Sequence, residues 1–276
     1  GSEKTLIALN VGRFDSLKHQ ALPLSCDALI GLGQLNAALG EWRGGDEWRE
    51  RIGTLKREWA EIVRKVTADQ GLVLPTDAQV IGAVNRQASN GTTVVCAAGG
   101  LPGELHKLWQ CSGPGSYHVE YGFSCMGYEI AGGLGVKMAK PEREVVVMVG
   151  DGSYLMHNSE LATSVMLGHK LIVVVLDNRG YGCINRLQHA TGGAGFNNLL
   201  QDCRTIEAGA PKTDFAAHAK ALGCEGESVS GIAELEQALV RARSATTTYV
   251  IALDTDPLPS TEEGGAWWDV AVPEVS

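Results

Sequence analysis

The sequence predicts an α/β protein whose core is a doubly wound, mostly parallel sheet with helices on both faces. Residues 145–149 and 172–176 are continuous apolar runs, as is typical of strands buried on both faces of a parallel sheet. Strand and helix patterns alternate from about residue 77 onward, which favours the doubly wound arrangement. The 35 glycines against 9 prolines are in keeping with many tight turns between strands and helices.

The individual elements follow from apolar spacing and from residues that end helices. Apolar residues at helical spacing predict a helix over 27–39, and Gly40 suits its end. Further helices are predicted at 78–88, 126–139, 153–167, 214–222 and 232–243. Strands are predicted at 6–11, 92–98, 144–150, 171–177, 225–229 and 248–253.

A charged segment separates the first helix from the α/β region. Residues 41–65 carry six acidic and seven basic residues around three tryptophans. As a helix, this composition favours a solvated connector laced with salt bridges over a partner-binding element. Because the composition differs from that on both sides, a domain boundary is expected here.

Charge and composition exclude several classes of protein. The net charge is −9, and six of the acidic residues lie in 254–276. No stripe of basic residues indicates a protein that binds nucleic acid. No apolar run reaches the roughly 18 residues of a membrane helix. No signal peptide is expected, and Gly1-Ser2 resembles a cloning remnant. Seven cysteines without a C-x-x-C pair favour reduced thiols in a cytoplasmic protein.

Two polar segments, each following a buried strand, carry the most information about chemistry. Residues 150–153 (Gly-Asp-Gly-Ser) open a helix, and residues 177–180 (Asp-Asn-Arg-Gly) follow the next buried strand. A strand–helix–strand crossover returns the chain to the same sheet edge, where open α/β proteins bind ligands. If the two strands are neighbours, Asp151 and Asn178 lie side by side.

The residue types at this edge suit a cation bound together with a phosphate. The Asp151 carboxylate, the Asn178 amide oxygen and the Gly180 carbonyl form an all-oxygen set, which suits Mg²⁺ or Ca²⁺ better than Zn²⁺. Mg²⁺ usually shares phosphate oxygens of a substrate. The helix that opens at Ser153 offers backbone N–H groups and a positive dipole end to such a phosphate.

Gly150 and Gly152 permit close approach of the backbone to this ligand. Each polar segment also has a purely structural interpretation, with Asp151 as a helix-terminal acid and 178–180 as a turn. That interpretation is favoured for either segment alone. Together, at the ends of two buried strands, they predict a magnesium–diphosphate site.

This pattern resembles the signature of thiamine diphosphate enzymes, a Gly-Asp-Gly followed by an Asn that is often doubled. Asp151 and Asn178 match it at a spacing of 27 residues, and Asp177 stands where many members have the first Asn. The resemblance implies thiamine diphosphate and Mg²⁺ as cofactors. It implies Mg²⁺ ligands at Asp151, Asn178 and the Gly180 carbonyl, and diphosphate contacts at Gly152 and Ser153.

Two upstream segments extend the resemblance. Residues 121–128 resemble the segment that keeps the cofactor bent, and Met126 matches the apolar residue wedged between its two rings. Gly100 and Leu101, in a glycine-rich turn after a predicted strand, match a contact with the diphosphate. The glycines at 132–135 follow no strand, so close helix packing is favoured over a dinucleotide site.

The glutamate that activates the cofactor in this family sits in a separate pyrimidine-binding domain, usually from a neighbouring subunit. The roughly 70 residues before the α/β region are too few for such a domain. Glu129 and Glu160 are interpreted as structural helix carboxylates. The catalytic residue is therefore unknown. We expect part of a longer enzyme, partnered by that domain in a homodimer or homotetramer.

Segments outside the cofactor motif indicate which members of the family this chain resembles. Residues 10–28, 97–109 and 267–275 resemble the trihydroxycyclohexanedione hydrolases of inositol catabolism, and the resemblance covers nearly the whole chain. It implies a hydrolase that opens a cyclic 1,2-diketone, with this chain as the diphosphate-binding half. The alternatives are an acetolactate synthase-like carboligase, a 2-oxoacid decarboxylase and a non-catalytic cofactor-binding module.

The same resemblance implies four segments. They are a remnant of a preceding middle domain at 1–40, a charged helical linker at 41–70, a thiamine diphosphate-binding domain at 71–255 and an acidic tail at 256–276. Candidates to face a small-molecule substrate are Tyr181, Asn185, Arg186 and His157, although a structural role is favoured for each.

Overall fold

The computed structural model describes residues 4–120, 122–203 and 212–265. The chain divides into two compact units, Gly1–Glu58 and Trp59–Ser276. In the first unit, strands β1 (Ile7–Asn10) and β2 (Leu22–Ser25) pair in parallel. Its helices are α1 (Arg13–Ser16) and α2 (Ala28–Leu39), while α3 (Asp46–Val66) crosses the division.

The second unit contains six strands and eight further helices among the described residues. The strands are β3 (Thr92–Cys96), β4 (Tyr117–Val119), β5 (Glu144–Gly150), β6 (Ile172–Asp177), β7 (Glu225–Val229) and β8 (Tyr249–Asp254). The helices are α4 (Asp77–Gln87), α5 (Leu101–Leu108), α6 (Tyr128–Ala139), α7 (Asp151–Met156), α8 (Glu160–Leu167), α9 (Gly182–Ala190), α10 (Phe215–Ala221) and α11 (Gly231–Ser244).

The six strands form one parallel sheet in the order β4-β3-β5-β6-β8-β7. Successive side chains point to opposite faces, so Val146 and Val174 join one core while Val147 and Val175 join the other. Helices α4, α5 and α11 cover the first core, and α6, α8 and α10 cover the second. The predicted doubly wound α/β fold is therefore confirmed.

Several parts of the secondary structure differ from the sequence prediction, which did not include the strands β2 and β4 or the helices α1, α5 and α9. The helix expected over 153–167 is two helices, α7 and α8, because the backbone leaves the helical conformation at His157, where φ is −150°. Helix α5 was not predicted, since its Gly- and Pro-rich start at 99–103 is typical of a loop. The structure accommodates Pro102 in the first turn of α5, where its missing N–H needs no partner.

Several predictions lie outside what the structure tests. Tyr121 and residues 267–275 are outside the described ranges, and the division into 1–40, 41–70, 71–255 and 256–276 stays a prediction. Within the described ranges, every helix is too short or too polar to traverse a bilayer.

Candidate cofactor site

The site lies at the carboxyl edge of the sheet, where β5 and β6 end together. These strands are parallel neighbours, with Gly150 opposite Leu176. Asp151 therefore follows one strand and Asn178 the other at the same edge, as the spacing predicted. The backbone N–H of Gly180 donates to Asp151 Oδ2 at 2.9 Å, which ties the two polar segments together.

All nine residues predicted to hold the cofactor line one cavity of about 460 Å³. They come from four places in the chain: Gly100 and Leu101, Met126, Gly150 to Ser153, and Asn178 with Gly180. A cavity of this size lies in the usual range for small-molecule sites. The fold thus gathers into one concave surface residues that are up to 80 positions apart.

The side-chain oxygen of Asn178 has no hydrogen-bond donor within the part of the chain that the structure describes. Its Oδ1 atom is buried and accepts no hydrogen bond from any residue in the described ranges. A buried acceptor without a donor costs roughly 1–3 kcal/mol. An oxygen in this state, close to a carboxylate, fits a cation that prefers oxygen ligands.

The Asp151 carboxylate is buried and carries a perturbed pKa. Burial, together with the neighbouring charge of Asp177, raises the pKa of Asp151 to about 6, against hydrogen bonds from the Gly152 and Gly180 backbone. A cation at this position would favour the ionised carboxylate, because an opposite charge stabilises the charged form. The donor set of Asp151, Asn178 and a carbonyl therefore fits Mg²⁺.

The described residues contain no group of three His, Cys, Asp or Glu side chains that could hold a metal. The protein ligands expected for a cation here are one carboxylate, one amide oxygen and one backbone carbonyl. This is the usual situation of Mg²⁺, which completes its shell with phosphate oxygens and water.

The loop that presents Asn178 and Gly180 is fixed by a second segment. Gly180 forms an antiparallel bridge with Leu199, and the N–H of Tyr181 donates to the Asn198 carbonyl at 2.7 Å. The φ of Gly180 is +149°, and a Cβ there would collide with the Asn198 carbonyl oxygen. Only glycine suits this position.

Two apolar side chains of the cavity lie beside Gly152. A Cβ on Gly152 would lie 2.9 Å from the Tyr181 ring and 3.5 Å from the Met126 methyl group. Met126 and Tyr181 therefore lie next to the turn that follows β5, and both are partly exposed. An apolar side chain in this position can contact the rings of a bound cofactor.

Ser153 is engaged with the protein rather than open to a ligand through its hydroxyl. Its Oγ donates to Glu129 at 2.8 Å and lies 2.9 Å from the Gly127 N–H, which donates to it. Any contact of Ser153 with a diphosphate is therefore expected through its backbone N–H.

The substrate-facing candidates separate into two groups. Tyr181 and Arg186 line the cavity, whereas Asn185 and His157 do not. Asn185 is buried, and His157 lies 3.7 Å from Glu160.

Sequence reasoning missed Asp77, which also lines the cavity. Its only sequence signal was the helix-start pattern Thr76-x-x-Gln79, which indicates a cap rather than a site. The glycines Gly132 and Gly133 lie inside α6, where Gly133 lets the helix approach Val147 of β5. This is the packing role that was favoured for them.

Comparison with known proteins agrees with this geometry. Residues 97–253 match the family described as thiamine pyrophosphate enzyme, C-terminal TPP binding domain. A 3D-(3,5/4)-trihydroxycyclohexane-1,2-dione hydrolase of Geobacillus thermodenitrificans is 36% identical over 303 residues, covering 100% of this chain and 47% of the relative. A protein of the same name from Bacillus cereus is 42% identical over 205 residues, covering 73% of this chain and 32% of the relative.

A solved structure supports the fold. The thiamine diphosphate-dependent 4-hydroxybenzoylformate decarboxylase of Rhodococcus jostii RHA1 superposes with a TM-score of 0.58 at 19% identity, over 69% of this chain and 34% of that chain. At this identity the likeness concerns the fold alone. The chain spans about half or less of the length of the curated relatives that it matches.

Proposed function

The chain belongs to the thiamine pyrophosphate enzymes through their C-terminal TPP-binding domain, and from this we propose that it is the diphosphate- and magnesium-binding half of a hydrolase that opens a cyclic 1,2-diketone. The observation that carries the proposal is the single cavity lined by all nine predicted residues, with the buried Asn178 oxygen lacking a donor in the described chain. The substrate class is supported by the relatives named as trihydroxycyclohexanedione hydrolases.

In this proposal different residues of the cavity bind the metal ion, the diphosphate and the rings of the cofactor. Asp151, Asn178 and the Gly180 carbonyl would hold Mg²⁺ beside the diphosphate. Gly100, Leu101 and the backbone of 150–153 would surround the diphosphate, and Met126 would contact the two rings of the cofactor. When bound, thiamine diphosphate supplies the carbon nucleophile that attacks the diketone, and the protein supplies orientation and electrostatics.

The remaining parts of the active site are expected from another domain. The relatives are at least twice as long as the segment they share with this chain. We propose that a pyrimidine-binding domain, in a homodimer or homotetramer, supplies the activating glutamate. An assay of the complete enzyme with the cyclic dione and with pyruvate then separates the hydrolase from a carboligase or decarboxylase.

The cofactor half of the proposal is tested by thermal unfolding of this chain. Melting temperatures are measured with EDTA, with Mg²⁺ and thiamine diphosphate, and with Mg²⁺ and inorganic pyrophosphate. A ligand that binds only the folded state stabilises it by about 2.7 kcal/mol at a free concentration of one hundred times its Kd. We expect a Mg²⁺-dependent rise with both ligands, since the diphosphate site needs no second domain.

Two matched variants control this experiment. Asp151→Asn keeps an oxygen that can accept from Gly180 but removes the charge, so the rise is expected to disappear. Asp177→Asn makes the same change one strand away, at a side chain that accepts from the Arg179 N–H and does not line the cavity. It is expected to keep the rise. Equal behaviour of the two variants, or no rise with either ligand, would contradict the proposal.

A further inference from the structure

A buried carboxylate behind the cavity joins three of the segments that form its walls. Glu129 lies in the first turn of α6 and is 1% exposed. Its Oε1 accepts from the Ala98 N–H at 3.2 Å and from the Ser153 hydroxyl at 2.8 Å. Its Oε2 accepts from the Gly127 N–H at 3.0 Å.

These three donors come from three different parts of the cavity wall. Ala98 precedes the turn that contains Gly100, Gly127 follows Met126, and Ser153 follows Gly152. The Gly127 N–H also donates to Ser153 Oγ at 2.9 Å, which closes the network on itself. One side chain thus sets the distance between the end of β3, the turn before α6 and the first turn of α7.

Burial of this carboxylate has no explanation in the helix itself. An acidic side chain in the first turn of a helix interacts favourably with the helix dipole even when it is exposed at the surface, where ionisation costs little. That interaction therefore does not require burial. At Glu129 burial raises the pKa of the carboxyl, and the hydrogen bonds from Ser153, Ala98 and Gly127 oppose this rise. A buried charge is tolerated where such donors satisfy it.

We propose that Glu129 is a positioning residue for the cofactor, which sets the spacing of the Gly100, Met126 and Gly152 turns around it. The inference rests on the proposed function. Glu129 itself does not line the cavity, so its effect passes through the backbone and through Ser153. In metal sites, partners that orient the ligating side chains typically change metal affinity or activity by roughly 10- to 100-fold when substituted, and we expect an effect of this order at Glu129.

The test compares Glu129→Gln with Glu104→Gln in this chain. Glutamine has a single acceptor oxygen, so it cannot receive all three donors of Glu129. Glu104 is 4% exposed, and its carboxylate accepts from the N–H of Thr261 at 3.0 Å and from the Thr261 hydroxyl, so its side-chain partner lies outside the three wall segments. The two variants therefore make the same change at similarly buried carboxylates.

Two readouts separate positioning from general destabilisation. Calorimetry gives the Kd of thiamine diphosphate in saturating Mg²⁺, and hydrogen exchange without ligand follows peptides covering 95–101, 122–128 and 150–156. For Glu129→Gln we expect a Kd at least about tenfold weaker and faster exchange in all three peptides. For Glu104→Gln we expect a lower melting temperature, a Kd within about twofold and no faster exchange there.

Each other outcome overturns one of the two proposals. If the unsubstituted chain binds the cofactor and Glu129→Gln binds it within about twofold, Glu129 is structural only and the inference fails. Unchanged exchange in the three peptides also overturns it. If the unsubstituted chain binds neither thiamine diphosphate nor pyrophosphate with Mg²⁺, the proposed function fails, and the inference falls with it.

Discussion

At the scale of single residues, two glycines in the segments proposed to bind Mg²⁺ have different reasons to be glycine. Gly180 has a φ of +149° and its hydrogen atoms face the Asn198 backbone, so the protein itself requires it. Gly150 has ordinary dihedral angles, with φ −75° and ψ 157°, and no described atom lies within 4 Å of a Cβ built on it. Gly150 is therefore replaceable in the unliganded fold, and we expect the requirement for glycine there to come from a bound ligand.

This difference predicts opposite results for two alanine substitutions. Gly180→Ala is expected to lower the free energy of unfolding by about 2 kcal/mol or more, because it combines an unfavourable φ with a backbone collision. Gly150→Ala is expected to change the free energy of unfolding by less than about 1 kcal/mol. Alanine is a poorer residue than glycine at the start of a helix, but it also reduces the conformational entropy of the unfolded chain, and these two effects on stability oppose each other. Gly150→Ala is nevertheless expected to weaken thiamine diphosphate binding. Urea unfolding and calorimetry measure both quantities, and equal stability of the two variants would contradict this explanation.

At the scale of elements, the helices differ in how their first turns are satisfied. Helix α4 begins with a capping box, in which Thr76 Oγ1 accepts from the Gln79 N–H at 3.3 Å and Gln79 Oε1 accepts from the Thr76 N–H at 3.0 Å. Helix α8 is preceded by Ser159 at the capping position, where its side chain makes no cap hydrogen bond. Both residues are typical helix starts in sequence, and only one acts as a side-chain cap in the structure.

The cap at α4 predicts a measurable difference between two similar substitutions. Thr76→Ala removes an acceptor of the first turn and is expected to cost about 1 kcal/mol of unfolding free energy. Ser159→Ala removes a hydroxyl that caps nothing and is expected to stay within about 0.5 kcal/mol of the unsubstituted chain. Urea unfolding of both variants decides the point, and a similar loss in each would show that the capping box contributes nothing special.

At the scale of the whole molecule, charged groups from distant parts of the second unit meet at Asp77. Burial raises the pKa of Asp77 to about 6, with Arg186 opposing the rise and Glu104 and Asp256 adding to it. An aspartate in an unfolded chain titrates near 3.9. Between these two values the folded state holds more protons than the unfolded state, so this group lowers stability as the pH rises from about 4 to about 6.

Asp77→Asn is therefore expected to increase the stability of the folded protein more at neutral than at acidic pH. The melting temperature of the variant minus that of the unsubstituted chain should rise between pH 4.5 and pH 7.5. The group contributes at most about 3 kcal/mol to this change, or several degrees. Taking the difference cancels the titration of all other groups to first order. A difference that stays flat across this range would contradict the assignment to Asp77.

Sequence reasoning reached the site because its signals are local. The buried runs at 145–149 and 172–176 identify two central strands by composition alone, since a strand covered on both faces has no polar alternation. The polar segments after them mark the ligand edge, because parallel strands end at the same side of a sheet. These features predicted the α/β fold and the cavity residues that follow β5 and β6, including Asp151 and Asn178, whereas Gly100, Leu101 and Met126 were inferred from the resemblance to thiamine diphosphate enzymes.

The sequence by itself thus determined the family, the central strands and the residues that face the candidate site. Only the tertiary structure decided that Glu129 is a buried link between three segments, that Gly180 lies against Asn198 and that Asp77 borders the cavity. It also decided that the Gly- and Pro-rich segment after Gly100 continues as a helix. The physical reason is the same in each case: burial, hydrogen-bond partners and permitted backbone angles depend on atoms that are near in space and far along the chain.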